Sequence, residues 1–138
     1  MTKVLRYVVL RHDPGPGVGR PLHWDFMLEA QEVLRTWALA SEPVENRPID
    51  AEQLTDHRLE YLTYEGPLGD DRGQVSRWDQ GVWLPQGEVE GELKAQLFGK
   101  KLKGRVTLSR EQPGSEPIQR WRFLFVSDMR GSGSSASS

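Results

Sequence analysis

The sequence predicts an all-β domain with a short helical segment, arranged as an antiparallel barrel or sandwich, and three observations carry that expectation. Short runs rich in β-branched and aromatic residues recur along the chain. In the clearest of them, residues 22–29, successive side chains alternate in character with the period of two that a strand imposes. Beyond Gly66, turn signals built on Gly and Asp return at short intervals.

Residues 4–10 form the first expected strand, which ends at Arg11-His12-Asp13 because Pro14-Gly15-Pro16-Gly17 cannot continue it. A loop then runs to Pro21. Along residues 22–29 the alternation places His23, Asp25, Met27 and Glu29 on one face and Trp24, Phe26 and Leu28 on the other. The polar break Ala30-Gln31-Glu32 leads into a strand over 33–39, so a hairpin is the simplest connection. Pro43 and Pro48 mark residues 41–50 as loop. Asp50 is suited to cap a short helix opening with Ala51-Glu52-Gln53, although Leu54, Leu59 and Leu62 fit no single period. Strands are then expected over 74–78 and, beyond a turn at Asp79-Gln80-Gly81, over 82–84, 92–98 and 105–110. A last strand over 120–126 follows a Pro/Gly loop. The domain is expected to span 1–127, leaving 128–138 as a disordered tail whose Gly/Ser run is too poor in apolar groups to fold.

A chain of 138 residues, 36% hydrophobic and 28% charged, is long enough for one core and too apolar for a disordered class. Its formal net charge of -2 gives no bulk attraction to nucleic acid or to an anionic membrane, so any nucleic-acid role needs a local basic patch. The absence of cysteine excludes disulfides and thiolate metal sites. No run is apolar enough for a signal peptide or a membrane span, so a cytoplasmic protein without membrane contact is expected.

The chemistry concentrates at three histidines. An imidazole and a carboxylate two residues apart on one strand face, His23 and Asp25, open a site for a divalent metal. Pairing of the first two strands would bring His12 beside His23 and close a set of two imidazoles and one carboxylate. The alternative is a surface hydrogen-bonded pair. His57 reads as an ordinary polar residue at the end of an element, and Tyr61, four residues on, would share its face if the segment were helical. The five tryptophans read as core rather than as base-stacking platforms. The run Lys100, Lys101, Lys103 and Arg105 reads either as a solvated turn or as a track for a nucleic-acid backbone. The segment from Gly69 to Gly73 is acidic, hence a hairpin turn rather than a phosphate cradle.

Four blocks of this sequence together resemble a known family. The first is Tyr7-Val8-Val9-Leu10-Arg11-His12-Asp13 with His23-Trp24-Asp25-Phe26-Met27-Leu28-Glu29 and Val33-Leu34-Arg35-Thr36-Trp37-Ala38. The others are Asp56-His57-Arg58-Leu59-Glu60-Tyr61 running into Tyr64-Glu65-Gly66, then Trp78-Asp79-Gln80-Gly81-Val82-Trp83, then Leu102-Lys103-Gly104-Arg105 with Leu108 and Arg110. In order and spacing they are similar to the 3′-phosphoesterase domain of bacterial ATP-dependent DNA ligase D, of which this chain looks like a divergent, stand-alone member. The resemblance implies a small closed antiparallel β-barrel with its active site in the barrel's hollow. It implies manganese-dependent removal of a 3′-terminal ribonucleoside and then of the 3′-phosphate, nucleic-acid 3′ ends as partners, and a DNA ligase or end-joining protein as a possible associate. It assigns metal ligation to His12, His23 and Asp25, and puts His57 and Tyr61 on the phosphate side.

This chain departs from the family at three matched positions: Met27 replaces an arginine, Ser41 a lysine and Leu10 a glutamine. A thioether offers no donor for phosphate, so Arg20 or Arg11 is expected to supply the missing positive charge. The same departures motivate two alternatives: a catalytically impaired module that binds metal and nucleic-acid ends, or a site retuned to a smaller phosphoester or a neutral ligand. Imidazole and carboxylate ligands also suit Zn²⁺ and Fe²⁺.

Overall fold

The structure, a computed structural model, describes residues 3–17, 19–111 and 119–128. Nine strands occur among them: β1 (Leu5–Asp13), β2 (His23–Ala30), β3 (Val33–Leu39), β4 (Ile49–His57), β5 (Gly66–Pro67), β6 (Gln74–Val89), β7 (Glu92–Gly99), β8 (Lys103–Arg110) and β9 (Gln119–Ser127). Every pairing between them is antiparallel, in the order β1-β2-β3-β4-β9-β8-β7-β6, and β1 also pairs with β6. Eight strands therefore close into a barrel, and β5 hangs on the first residues of β6 as an extra strand. Closure removes the free edges an open sheet would present. The β2–β3 hairpin turns on Gln31 and Glu32, both at positive φ, a two-residue turn made without glycine. No helix among the described residues is long and apolar enough to cross a membrane.

The barrel is filled rather than hollow. All eight barrel strands send side chains inward, among them Tyr7, Trp24, Phe26, Trp37, Ala51, Trp83, Leu97, Val106 and Phe123. Phe26 meets Phe123 edge-on at 5.3 Å, and Trp37 meets Trp121 edge-on at 5.7 Å, the tilted geometry aromatic rings prefer. The expected site in the barrel's hollow is therefore overturned, because packed hydrocarbon and indole occupy that space. Four tryptophans (24, 37, 83 and 121) are core, as their strand positions require.

Two sequence expectations are corrected here. The segment opening at Asp50 is strand β4, not a helix, because Ile49 and Ala51 point into the core while Asp50 faces solvent; the helical segment is a single 3-10 turn, Leu59–Leu62. Asp79-Gln80-Gly81 is not a turn but the middle of the 16-residue β6. Asp79 is buried and accepts the backbone N–H groups of Lys100, Lys101 and Leu102 and the Tyr7 hydroxyl, so it caps the β7–β8 turn from within the barrel. Gly81 is glycine because a Cβ there would lie 2.2 Å from the Phe98 carbonyl oxygen. The β1–β6 register slips at Trp78, between Val9 opposite Asp79 and Leu10 opposite Arg77. This bulge turns the odd residues of β6 from the outer face, where Val75 lies, to the inner face of Asp79 and Trp83. The tail beyond 128 and the Pro/Gly loop before the last strand lie outside the described residues.

Candidate metal centre

The outer face of β1 and β2 carries the candidate site. A second apolar cluster, Val8, Leu10, Met27, Leu34, Leu62 and Val75, covers that face, roofed by the 3-10 turn and by Leu59, Tyr61 and Leu68. Both faces of β2 are thereby buried, which explains why seven of its eight residues are buried, polar ones included. At the open end of this layer lies a pocket of about 250 Å³ lined by Leu10, His12, Pro14, Arg20, His23, Asp25, Met27, Leu54, His57, Tyr61, Leu68, Arg72 and Val75.

Antiparallel register sets His12 directly opposite His23, and Asp25 lies one alternation further along the same face of β2. The two imidazole rings are 4.4 Å apart. His12 Nδ1 is 3.3 Å from Asp25 Oδ2, and His23 Nε2 is 3.3 Å from Asp25 Oδ1. One ligand atom from each of the three residues falls within 4.8 Å of the others. The outer ring nitrogens are already committed: His12 Nε2–H donates to the Arg72 carbonyl at 3.0 Å, and His23 Nδ1–H donates to the Pro21 carbonyl at 3.0 Å. A carbonyl accepts only, so each ring must hold its proton there when neutral and turn a lone pair toward the carboxylate. Lone pairs facing a carboxylate repel unless a proton or a metal ion stands between them. Asp25 Oδ1 is buried and lacks a hydrogen bond among the described residues, because its approach to His23 has the distance but not the direction of one. Two lone-pair nitrogens held from behind by carbonyls, plus an under-satisfied carboxylate oxygen, fit a divalent cation of the Mn²⁺, Fe²⁺ or Zn²⁺ kind.

Electrostatics in the absence of metal follow the same geometry. The hydrogen bond to Asp25 raises the His12 imidazole above its ordinary value, against the opposing pull of burial and of the nearby Arg20 charge. Burial pushes the Asp25 carboxyl up, but the hydrogen bond from His12 and the closeness of both imidazoles outweigh it and hold Asp25 at about 2. A proton on His12 thus fills the role a cation would take.

The β5–β6 turn delivers the carbonyl that orients His12. Gly69 O accepts from Arg72 N–H, and Asp70 and Asp71 between them both have positive φ. Gly73, at φ +86, packs its Cα against the end of β1, where a Cβ would lie 2.0 Å from the Asp13 carbonyl oxygen. That contact seats Arg72 O over His12.

The remaining residues singled out from sequence divide cleanly. His57, at the end of β4, donates Nδ1–H to the Thr55 carbonyl at 2.9 Å, leaving Nε2 for the pocket it lines. Tyr61 meets His57 edge-on at 5.7 Å across a strand end and a 3-10 turn rather than along a shared helix face. Arg20 lines the pocket and forms no hydrogen bond or ion pair among the described residues. Arg11, one residue before His12, is exposed and does not line the pocket. Lys101 lies 4.4 Å over the Trp78 ring, and no residue of the 100–105 basic run lines the pocket. Arg72, which does, was not singled out from sequence: its turn reads as acidic, and only the fold brings its guanidinium and carbonyl beside His12.

A family model described as the DNA ligase D 3′-phosphoesterase domain matches residues 17–110. The chain belongs to this family. The matched span holds His23, Asp25, His57 and Tyr61, and His12 joins them through its pairing with His23. Among similar proteins, the multifunctional non-homologous end joining protein LigD of Pseudomonas aeruginosa is 36% identical over 119 residues, covering 79% of this chain and 14% of that protein. The multifunctional non-homologous end joining DNA repair protein LigD of Mycobacterium tuberculosis is 35% identical over 97 residues, 64% of this chain and 13% of that protein. The chain thus spans about a seventh of the length of the ligase D relatives it matches.

Proposed function

We propose that this chain is a metal-dependent phosphoesterase that processes the 3′ termini of DNA or RNA strands in repair, with Mn²⁺ as its metal. One observation carries the reading: two imidazoles, each pinned by a backbone carbonyl, turn their lone pairs onto the buried carboxylate of Asp25 in a pocket that also holds His57 and two guanidiniums. Family membership narrows the chemistry to phosphoester hydrolysis at 3′ ends, and the relatives' names support an end-joining setting with a ligase partner. His12, His23 and Asp25 would hold the ion, which when bound supplies a Lewis acid for phosphorus and a more acidic water. His57 presents Nε2 to the pocket and, in its doubly protonated form, would give the Nε2 proton to the departing oxygen. The Tyr61 hydroxyl, Arg20 and Arg72 supply donors for the non-bridging oxygens, a task the thioether of Met27 cannot perform. The roof formed by the 3-10 turn keeps bulk water from the inner wall.

The test is incubation of primer-templates ending in a 3′-ribonucleotide or a 3′-phosphate, with Mn²⁺ or with chelator. Metal-dependent hydrolysis by the native chain, abolished by His23→Ala, is expected; His57→Ala should lose at least about a hundredfold in turnover while still binding metal. The buried apolar pair Leu10 and Met27 favours one second reading, a module that binds metal and strand ends without turnover. Metal uptake with no hydrolysis of either substrate would select it.

A further inference from the structure

We propose that the outer face of β6, β7 and β8 docks a partner protein through an acidic segment carrying aliphatic side chains. Antiparallel register aligns one row across four strands: Arg6 opposite Val82, Val82 opposite Phe98, and Phe98 opposite Lys103. In the next row Leu84 stands opposite Gln96, and Gln96 opposite Arg105. These residues face outward, because the ones that alternate with them, Trp83, Leu97 and Val106, are core. Val82, Leu84 and Phe98 are 36%, 47% and 49% exposed, three of the seven large apolar side chains left open to solvent among the described residues. Neighbours across strands, they form one stripe rather than scattered single side chains.

Cations rim the stripe. A groove of about 420 Å³ runs from Phe98 and Val82 past Lys100 and Arg6 to Leu62 and Thr63, and no carboxylate lines it. Glu29 accepts Arg6 Nε and Nη2 but is itself 1% exposed, while Asp128 accepts Gln96 Nε2 at 2.6 Å. Lys100 and Lys103 are exposed and form no ion pair among the described residues. In a chain of net charge -2, a face bearing Arg6, Lys100, Lys103 and Arg105 is the complement of carboxylates. The aliphatic part favours a protein over a nucleic-acid strand: a base stacks on Phe98, but a nucleotide brings no branched aliphatic chain to cover Val82 and Leu84, as a leucine does. Each strand under the stripe is paired on both sides, so the segment binds through side chains and not by adding a strand. Leu62 also belongs to the roof of the candidate metal centre, so the docked segment lies against that roof and leaves the pocket open.

The test titrates a peptide of alternating Glu and Leu into the isotope-labelled full chain and follows the amide NMR signals. Shifts concentrated at residues 81–84 and 98–103 are expected, with binding weakened at least about tenfold by Phe98→Ser and by the pair Lys100→Glu and Lys103→Glu. These variants alter exposed side chains outside the metal pocket, so their Mn²⁺ affinity should match that of the native chain. No binding of the Glu-Leu peptide, shifts confined to other residues, or an affinity that neither variant changes overturns the proposal. Equal binding of a Lys-Leu or a Glu-Ser peptide overturns it as well. An oligothymidylate that shifts the same amides at lower concentration than the Glu-Leu peptide overturns it in favour of a nucleic-acid track.

Discussion

Each of the three histidines spends one ring nitrogen on a backbone carbonyl, of Arg72, Pro21 and Thr55 respectively, and this small regularity decides where the other nitrogen points. It also gives the metal-free protein a definite pH dependence. His12 titrates above its unfolded value, so its contribution to stability is whole below about pH 6.5 and is lost as pH rises through the folded value. Asp25, held at about 2, contributes above its unfolded value and loses that contribution as pH falls toward 2. The pair therefore favours the metal-free fold most between about pH 4 and 6.5. Bound metal must displace the His12 proton, so the rise in melting temperature on adding Mn²⁺ should be larger at pH 8 than at pH 5.5. A rise that does not change with pH would contradict this assignment. His23 and Asp25 were legible as a pair because a strand's period of two puts them on one face. Arg72 was not, because it acts through a main-chain carbonyl and a position that only tertiary packing creates.

At the scale of elements, β6 and its neighbours show why turn chemistry misleads. Asp79-Gln80-Gly81 has the composition of a turn, yet Asp79 is an internal cap and Gly81 a point of close backbone approach. Both are answers to packing against β7, a partner that local sequence does not reveal. Asp79→Ala leaves the Lys101 and Leu102 N–H groups without their acceptor, while Lys100 N–H keeps the Gln80 carbonyl at 3.2 Å and the Tyr7 hydroxyl the Leu102 carbonyl at 3.4 Å, and should cost roughly 2 to 3 kcal/mol by urea denaturation. A loss below about 1 kcal/mol would mean the turn finds other acceptors. Gly73→Ala acts differently: it forces the β5–β6 turn away from Asp13 and carries Arg72 O off His12. Weakening of Mn²⁺ binding by about tenfold or more is expected, with every ligand intact. Unchanged affinity would show that His12 needs no such support. β2 was readable from its alternation, and β1 and β3 from their β-branched and aromatic composition. The start of β4 was not, since Asp50-Ala51-Glu52 looks like a capped helix until the core behind Ala51 is seen.

As a whole the molecule is a barrel whose interior is spent on packing, so its candidate site lies on the outer wall under a short roof. A net charge of -2 leaves the proposed strand binding to local cations, and Arg20 and Arg72 are the only Lys or Arg residues lining the pocket among the described residues. Affinity for a single strand should therefore fall with salt at a slope of about -1.4 in log–log terms, two phosphate contacts' worth. A slope steeper than about -3 would enlist the 100–105 basic run as a backbone track. Everything at this scale depends on the trio at the mouth of the pocket. The most direct test is calorimetric titration of Mn²⁺ into the metal-stripped native chain and into Asp25→Asn at neutral pH. One ion per native chain is expected, with at least about a hundredfold weaker binding to Asp25→Asn. Equal binding by the two proteins, or none by the native chain, would contradict it.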